Sequence, residues 1–155
     1  GGRETSPLTI ARATETLRLA GREPIVIERE VPGLVANRLT AALLREALDL
    51  VARGVIGARD LDRLVAHGIA TGWVTRGALG TELAGSGSAT LDEFVAKSEG
   101  SMAALLASLA DWRTMAPWGR EALRRAGQGV REPMGDCEWA AAIARVVKAG
   151  ERGTG

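Results

Sequence analysis

The stretch that decides the fold of this 155-residue chain lies at positions 31–39 and reads Val31-Pro32-Gly33-Leu34-Val35-Ala36-Asn37-Arg38-Leu39. Pro32 and Gly33 interrupt regular structure, because proline lacks a backbone N–H and glycine reaches conformations that other residues avoid. Beyond them, apolar residues recur at the three- and four-residue spacing of an amphipathic helix. These residues are Val35, Leu39, Leu43, Ala47, Leu50 and Val51. The pattern predicts a long helix over residues 34–53, ended by Gly54.

A helix and a short strand are predicted before this stretch. Ser6 suits the N-cap and Pro7 the first position of a helix that runs to Gly21, where a left-handed residue can end it. Residues 25–27, three β-branched residues in a row, are typical of a buried strand. Because one strand cannot make a sheet, the pattern indicates that part of a larger fold is missing.

The rest of the chain is predicted to be helical, apart from one loop. Thr90 and Glu93 match a capping box, in which the two residues satisfy each other's free backbone donors at a helix start. The predicted elements are a helix over 60–67 stopped by Gly68, a Gly- and Ser-rich loop over 69–89, a helix from Thr90 to about Ala110 interrupted near Gly100, helices from Pro117 to about Gly127 and from Asp136 to about Gly150, and a frayed tail over 151–155.

Composition excludes several classes of protein. Apolar residues make up 46% of the chain and charged residues 25%, as in soluble globular proteins. The net charge is +1 with no basic stripe, which argues against nucleic acid as a partner. No apolar run approaches the roughly 20 residues of a membrane span, and the polar start argues against a signal peptide. The single cysteine, Cys137, fits a reducing compartment, so we expect a cytoplasmic protein with no membrane partner.

Few side chains suggest chemistry by themselves. His67 is the only histidine, which excludes a multi-histidine metal site and fits a residue at a helix C-terminus. No glycine-rich phosphate loop follows a strand, so we expect the chain alone to bind no cofactor. Trp73 and Arg76, in the predicted loop, suit either a substrate contact or simple packing. The other tryptophans, Trp112, Trp118 and Trp139, are expected in the core, and the arginines of the long helix, Arg38 and Arg45, on an ion-paired face with Glu46 and Asp49.

Several segments together resemble 3-hydroxyacyl-CoA dehydrogenases. Residues 31–39 resemble the PGF(I/V)xNRL segment that opens the C-terminal domain of that family, and residues 45–55 resemble its EAL-LV-EGVA run. Residues 60–62 are similar to its E-D-I-D, and residues 2–7 to the G-x-x-T-S-P that begins the last helix of its Rossmann domain. The resemblance covers roughly residues 2–87.

The resemblance implies a mainly α fold, a helical bundle like the C-terminal domain of 6-phosphogluconate dehydrogenase, preceded by a remnant helix and strand of a Rossmann domain. Residues 1–30 would be that remnant of the NAD-binding domain. Residues 31–150 would be the helical substrate and dimerisation domain, and residues 151–155 its tail.

It also implies an activity and its residues. Members oxidise a 3-hydroxyl group with NAD, and their catalytic histidine and its glutamate lie upstream of Gly1. By position, Asn37 would support catalysis near the substrate's reacting oxygen, and Asn37, Trp73 and Arg76 would bind substrate. The isolated chain is expected to be inactive.

One departure leaves the substrate open. Ala78 follows Gly77 where acyl-CoA members have proline, and Trp73 is similar to the R-W-x-x-x-G-P of the L-gulonate 3-dehydrogenase, lambda-crystallin and carnitine dehydrogenase branch. The substrate is then an acyl-CoA of fatty acid metabolism or a free hydroxyacid.

Partners follow from the same reading. We expect a homodimer, formed through the long helices or by exchange of the N-terminal segment, and a Rossmann domain in the same chain or supplied by another. The alternatives are a helical oligomerisation or interaction module without catalytic function, and a partner of a separate NAD-binding subunit.

Overall fold

The computed structural model describes Gly2 and residues 4–127, and within that range the chain is helical, as the fold class predicts. The described residues form six α-helices: α1 (Pro7–Leu19), α2 (Leu34–Ala52), α3 (Ala58–Leu64), α4 (Ala70–Ser86), α5 (Leu91–Ser108) and α6 (Pro117–Ala126). A π-helical turn, Val65–Ile69, joins α3 to α4. The chain divides into two compact units, Gly1–Leu44 and Arg45–Gly155.

Helix α1 begins and ends at the predicted residues. The hydroxyl of Ser6 accepts a hydrogen bond from the backbone N–H of Thr9 at 3.1 Å, which satisfies one of the free donors of the first turn. Pro7 occupies the first helical position. After Leu19 the chain reaches Gly21, whose φ of 69° is the left-handed conformation that ends many helices.

The predicted strand over residues 25–27 does not form in the described part of the chain. Its residues belong to no helix and to no β-ladder there. Ile25 is 80% exposed and Val26 is 52% exposed, so this apolar segment is largely uncovered. Strand pairing needs a neighbouring strand to receive its backbone hydrogen bonds, and none of the described residues offers one.

The predicted loop over residues 69–89 is wrong, because most of it forms helix α4. Glycine content suggested a loop, yet four of its five glycines are accommodated by helical turns or by the helix end. Gly68 does not stop a helix either, since it lies inside the π-helical turn between α3 and α4. The one real break is Gly77, whose φ of 73° and ψ of 171° are non-helical.

Helix α5 begins with the predicted capping box and shows no break at Gly100, contrary to the prediction. The hydroxyl of Thr90 accepts from the backbone N–H of Glu93 at 3.2 Å. The carboxylate of Glu93 accepts in return from the N–H of Ala89 at 2.9 Å, one residue earlier than expected. A single glycine lowers helix propensity by only about 1 kcal/mol, which the surrounding helix overcomes.

Few side chains of the described residues are buried. The buried apolar residues are Val51 and Ala110. Trp112 is half-buried, but Trp118 is 59% exposed, so its prediction as a core residue is wrong. Trp139, Cys137 and the helix predicted from Asp136 lie outside the described residues. The apolar face of α2 is covered only toward its C-terminal end, because Leu39 is 65% exposed whereas Val51 is buried.

Candidate functional site

A tight turn precedes helix α2 and directs its first residues. The backbone N–H of Leu34 donates to the carbonyl of Val31 at 2.9 Å, across Pro32 and Gly33. Gly33 has a φ of 80°, and proline followed by a glycine of positive φ fits a type II turn. The prediction that these two residues break the chain is therefore confirmed, and the physical cause is this turn.

Asn37 lies on the first turn of α2, as the fourth residue of the helix, and its side chain is exposed. An asparagine near a helix start commonly bonds local backbone. Within the described residues the hydroxyl of Thr40 bonds the carbonyl of Ala36 at 3.0 Å, whereas the amide of Asn37 makes no such bond. The amide of Asn37 is accordingly free to donate to a ligand.

Trp73 and Arg76 lie on the same part of α4, three positions apart and hence on neighbouring positions of one helix surface. Trp73 is 37% exposed, and Arg76 is exposed. Arg76 takes part in none of the ion pairs formed by the described residues. The structure thus corrects their setting from a flexible loop to a helix, where both side chains remain available.

Gly77 folds α4 back on itself just beyond Arg76. In a straight helix, residues nine apart lie about 13–14 Å from each other. A methyl group added at Gly72 would nevertheless lie 2.7 Å from Cγ2 of Thr81, because the two halves of α4 meet there. The hydroxyl of Thr81 also bonds the carbonyl of Gly77 at 2.7 Å. Gly72, Gly77 and Thr81 therefore set the course of the helix that bears Trp73 and Arg76.

His67 lies in the π-helical turn and is exposed. Its carbonyl accepts from the hydroxyl of Thr71 at 3.2 Å. The prediction of a residue at a helix C-terminus is therefore wrong, since the chain continues as helix on both sides. No charged partner faces His67 among the described residues, and we assign it no role in binding.

Two carboxylates on α2 hold the segment between α5 and α6, an arrangement that the sequence analysis missed. Glu46 accepts from the backbone N–H of Ala110 at 2.8 Å. Asp49 accepts from the indole of Trp112 at 3.2 Å and pairs with Arg53 at 3.2 Å. Both carboxylates were predicted to lie on a solvated, ion-paired face. The ion pair of Asp49 with Arg53 agrees with that prediction in part, but both carboxylates also anchor a distant segment, a use that no local pattern distinguishes.

Arg45 also departs from the prediction of an ion-paired face. Its Nε is buried and has no hydrogen-bond partner. The acidic side chains one position and one turn further along α2, Glu46 and Asp49, are engaged with Ala110 and Trp112 instead. The spacing of residues along α2 thus predicted that Glu46 and Asp49 lie near Arg45. It did not predict which groups these two carboxylates bond.

One carboxyl group in the described part has a shifted pKa. The ammonium of Lys97 and, to a smaller extent, the backbone N–H of Ala89 hold the pKa of Glu93 below its ordinary value of 4.5. Because the side chain of Glu93 is exposed and caps the start of α5, its lowered pKa reflects helix capping and not the environment of a catalytic group.

Among the described residues there is no group of three or more His, Cys, Asp or Glu side chains that could hold a metal ion. In the same part of the chain, none of the helices combines the length and apolar character required to cross a bilayer.

The helical architecture of this chain has a counterpart among solved structures. It is similar to the crystal structure of 5-formyl-3-hydroxy-2-methylpyridine 4-carboxylic acid 5-dehydrogenase, an NAD+ dependent dismutase. The similarity has a TM-score of 0.66 and 33% identity, and covers 96% of this chain and 47% of that one. The chain is therefore a helical structural relative of an NAD-dependent dehydrogenase.

The chain is also similar in sequence to three dehydrogenases of stated activity. The chain is 40% identical over 83 residues to a 3-hydroxyacyl-CoA dehydrogenase from Gibberella moniliformis, 54% of this chain and 26% of that protein. It is 35% identical over 120 residues to an L-carnitine dehydrogenase from Streptomyces griseus, 77% and 32% respectively. It is 50% identical over 68 residues to a 5-formyl-3-hydroxy-2-methylpyridine 4-carboxylate 5-dehydrogenase from Mesorhizobium japonicum, 44% and 22% respectively.

The chain is thus a homologue of the 3-hydroxyacyl-CoA and L-carnitine dehydrogenases, which confirms the resemblance seen in its motifs. No protein-family model matches it. The chain spans between about a fifth and a third of the length of these curated relatives.

Proposed function

We propose that this chain is the helical, substrate-side part of an NAD-dependent dehydrogenase that oxidises a 3-hydroxyacid or a 3-hydroxyacyl-CoA. The observation that supports this most is the likeness of nearly the whole chain, 96%, to about half of an NAD+ dependent enzyme at 33% identity. A likeness of that extent supports a common fold for this chain and the matching part of that enzyme. The proposal concerns the complete enzyme, to which this chain would contribute one part.

Asn37 is the residue that we propose acts at the reacting oxygen. Its amide is exposed and unengaged among the described residues, on the first turn of a helix. As the substrate hydroxyl loses its proton, negative charge gathers on that oxygen, and a preplaced amide donor stabilises the charge. Asn37 would thereby support catalysis without accepting the proton itself.

Trp73 and Arg76 are proposed to contact the rest of the substrate. The guanidinium of Arg76 has no carboxylate partner in the described structure, and guanidinium groups suit the paired oxygens of carboxylates and phosphates. Both candidate substrates offer such a group, a carboxylate in the free hydroxyacid and phosphates in the CoA ester. The indole of Trp73 supplies an apolar surface beside it.

NAD is proposed to bind outside this chain. The residues present do not fit a pyrophosphate cradle, because the sequence has no glycine-rich turn between a strand and a helix. The positive-φ glycines Gly21, Gly54 and Gly87 follow the ends of helices. We assign the cofactor site and the catalytic base to a Rossmann domain that is joined to this chain or supplied by another.

A homodimer is proposed because apolar side chains on α2 and α5 are left exposed in the described part of the chain. On α2 the exposed ones include Leu39 and Leu44; on α5 they include Leu91, Val95, Leu105 and Leu106. Exposed apolar patches of several hundred Å² are uncommon on monomers. A second copy would cover them, through the helices or through exchange of the N-terminal segment.

The activity is tested on the complete enzyme, with this chain joined to its NAD-binding domain. NADH formation is followed with a 3-hydroxyacyl-CoA, L-carnitine and L-gulonate as alternative substrates. Asn37→Ala should lower kcat by about tenfold to a hundredfold, since hydrogen bonds to charged groups contribute about 1.5–3 kcal/mol. Thr40→Ala, one turn further along α2, is the matched control and should leave kcat unchanged. Equal kcat values for Asn37→Ala and wild type would refute the role of Asn37.

The isolated chain provides a second test. Calorimetric titration with NAD should show no saturable binding, because the cofactor loop is assigned elsewhere. Binding with a micromolar Kd would contradict this division of labour between domains.

A further inference from the structure

One residue beside the proposed site has an unfavourable backbone conformation. Leu34, the first residue of α2, has a φ of 54°, and it is the only non-glycine residue with positive φ in the described part of the chain. Side chains with a Cβ rarely adopt this left-handed conformation, because the Cβ crowds the backbone. A glycine would fit without strain, so something else must favour leucine here.

Two features hold Leu34 in place. Its backbone N–H closes the turn by donating to the carbonyl of Val31 at 2.9 Å. Its side chain borders an apolar groove of about 380 Å³ within the first unit, together with Leu17, Ile25 and Ile27. Leu34 is 48% exposed, so about half of its surface is buried, and that burial opposes the cost of the unfavourable φ in a way that glycine, which has no side chain, could not.

The turn also lies near Asn37. A Cβ built at Gly33 would lie 3.7 Å from Cβ of Asn37, which is ordinary van der Waals contact. Because Leu34 joins this turn to the helix, its dihedral angles determine where the first turn of α2 points. Asn37 is three positions later on that same turn.

We propose that Leu34 is a positioning residue, which through its left-handed conformation and its half-buried side chain at the edge of the groove sets the direction of the Asn37 amide. The proposal rests on the function proposed above for Asn37. Displacements of about 1 Å at a reacting centre can lower rates by up to a hundredfold, so a loosened turn should be visible in kcat.

The test compares three substitutions in the complete enzyme. Leu34→Ala and Leu34→Gly remove the side chain from the groove, and Leu34→Met largely retains it. We expect the first two to lower kcat about tenfold with KM changed less than twofold, and Leu34→Met to restore most of kcat. Val35→Ala, the neighbouring exposed residue, serves as the matched control and should keep the wild-type kcat. In an Asn37→Ala background, Leu34→Ala should cause no further loss.

A second readout does not depend on turnover. The amides of Arg38 and Leu39 are the first that can bond back to carbonyls of α2 itself. Their hydrogen exchange should become about tenfold faster in Leu34→Gly, because glycine at this position frees the helix start. Unchanged exchange would overturn the proposal even if no substrate were turned over.

The outcomes separate the two proposals. If Asn37→Ala slows the enzyme but Leu34→Ala and Leu34→Gly do not, the positioning role is refuted and the function of Asn37 stands. If Leu34→Ala slows an enzyme that already contains Asn37→Ala, Leu34 acts by another route and the proposal also fails.

Discussion

The indole Nε1 of Trp112 donates a hydrogen bond to Oδ1 of Asp49 at 3.2 Å, across 63 positions of the sequence. The side chain of Asp49 is only 14% exposed, so this bond is partly shielded from water. Together with the bond from Ala110 to Glu46, it fastens the segment between α5 and α6 to α2. These are long-range side-chain bonds between described residues of the second unit, whose stability should depend on them.

Trp112→Phe should therefore lower the free energy of unfolding by about 1–2 kcal/mol. Phenylalanine retains an aromatic ring but removes the donor to Asp49, leaving a partly buried carboxylate with one partner fewer. Urea denaturation followed by circular dichroism measures the change. Trp118→Phe is the matched control: Trp118 is exposed and forms no such bond, so its substitution should change stability by less than about 0.5 kcal/mol. Equal losses in the two variants would contradict the anchor.

Gly72→Ala should destabilise the fold by about 1–3 kcal/mol. Its methyl group would lie 2.7 Å from Cγ2 and 3.0 Å from Oγ1 of Thr81, so the Thr81 side chain, which is bonded to Gly77, or the two halves of α4 would have to shift. Thermal unfolding monitored by circular dichroism provides the measurement.

Gly85→Ala on the same helix is the control for this clash. Nothing lies within 4 Å of its added methyl group, and alanine favours helix over glycine by up to about 1 kcal/mol. Gly85→Ala should thus preserve or raise stability, and adding Thr81→Ala should restore the stability of Gly72→Ala. A neutral Gly72→Ala would show that α4 does not fold back at this contact.

Stability should fall in acid partly through Glu93. Lys97 and the N–H of Ala89 lower its pKa in the folded chain, so the folded state favours the ionised form more than the unfolded state does. That contribution is present above the unfolded pKa, near 4.5, and is lost as the pH falls through the lower folded value. Glu93→Gln should reduce the loss of stability between pH 6 and pH 3, measured by urea denaturation. Glu99→Gln on the same helix, which has neither contact, should retain the full acid loss.

Light scattering should give a mass of about 32 kDa, twice the 16.2 kDa of one chain, at micromolar concentration. Leu39→Glu places a charge on the exposed apolar face of α2 and should raise the dimer Kd at least about tenfold. Val55→Glu, at an exposed position after α2, is the control. Dimers that survive Leu39→Glu but disappear on deletion of residues 1–30 would favour exchange of the N-terminal segment. A mass near 16 kDa for the unaltered chain would refute both forms of dimer.

Local chemistry predicted the helix starts well. Each helix cap joins groups no more than four positions apart, so the local sequence contains both partners. This holds for Ser6 and Pro7 at α1 and for Thr90 and Glu93 at α5. Glycine content wrongly predicted a loop at α4, because the number of glycines does not say which conformation each one adopts. Whether a glycine ends a helix depends on φ, and among the interior glycines of that segment Gly77 alone has a positive φ, while Gly72 is needed for contact with Thr81.

The candidate site shows a similar division. Asn37 was predicted from a motif, and the structure adds that this residue is exposed on the first turn of α2. Trp73 and Arg76 were predicted as a pair, but their helical setting was not, since the fold-back at Gly77 depends on packing between the two halves of α4. The left-handed φ of Leu34 was missed because leucine gives no local signal for that conformation.

The sequence by itself determined the helical class, the turn at Pro32 and Gly33, the long helix α2 and the family resemblance, because each depends on neighbours a few positions apart. Only the tertiary structure decided the use of Glu46 and Asp49, the exposure of Trp118 and the unpaired state of residues 25–27 in the described chain. The physical reason is that a carboxylate, an indole or a strand edge can bond to water or to any suitable group. Which partner it meets depends on segments far away in sequence, or on segments outside this chain.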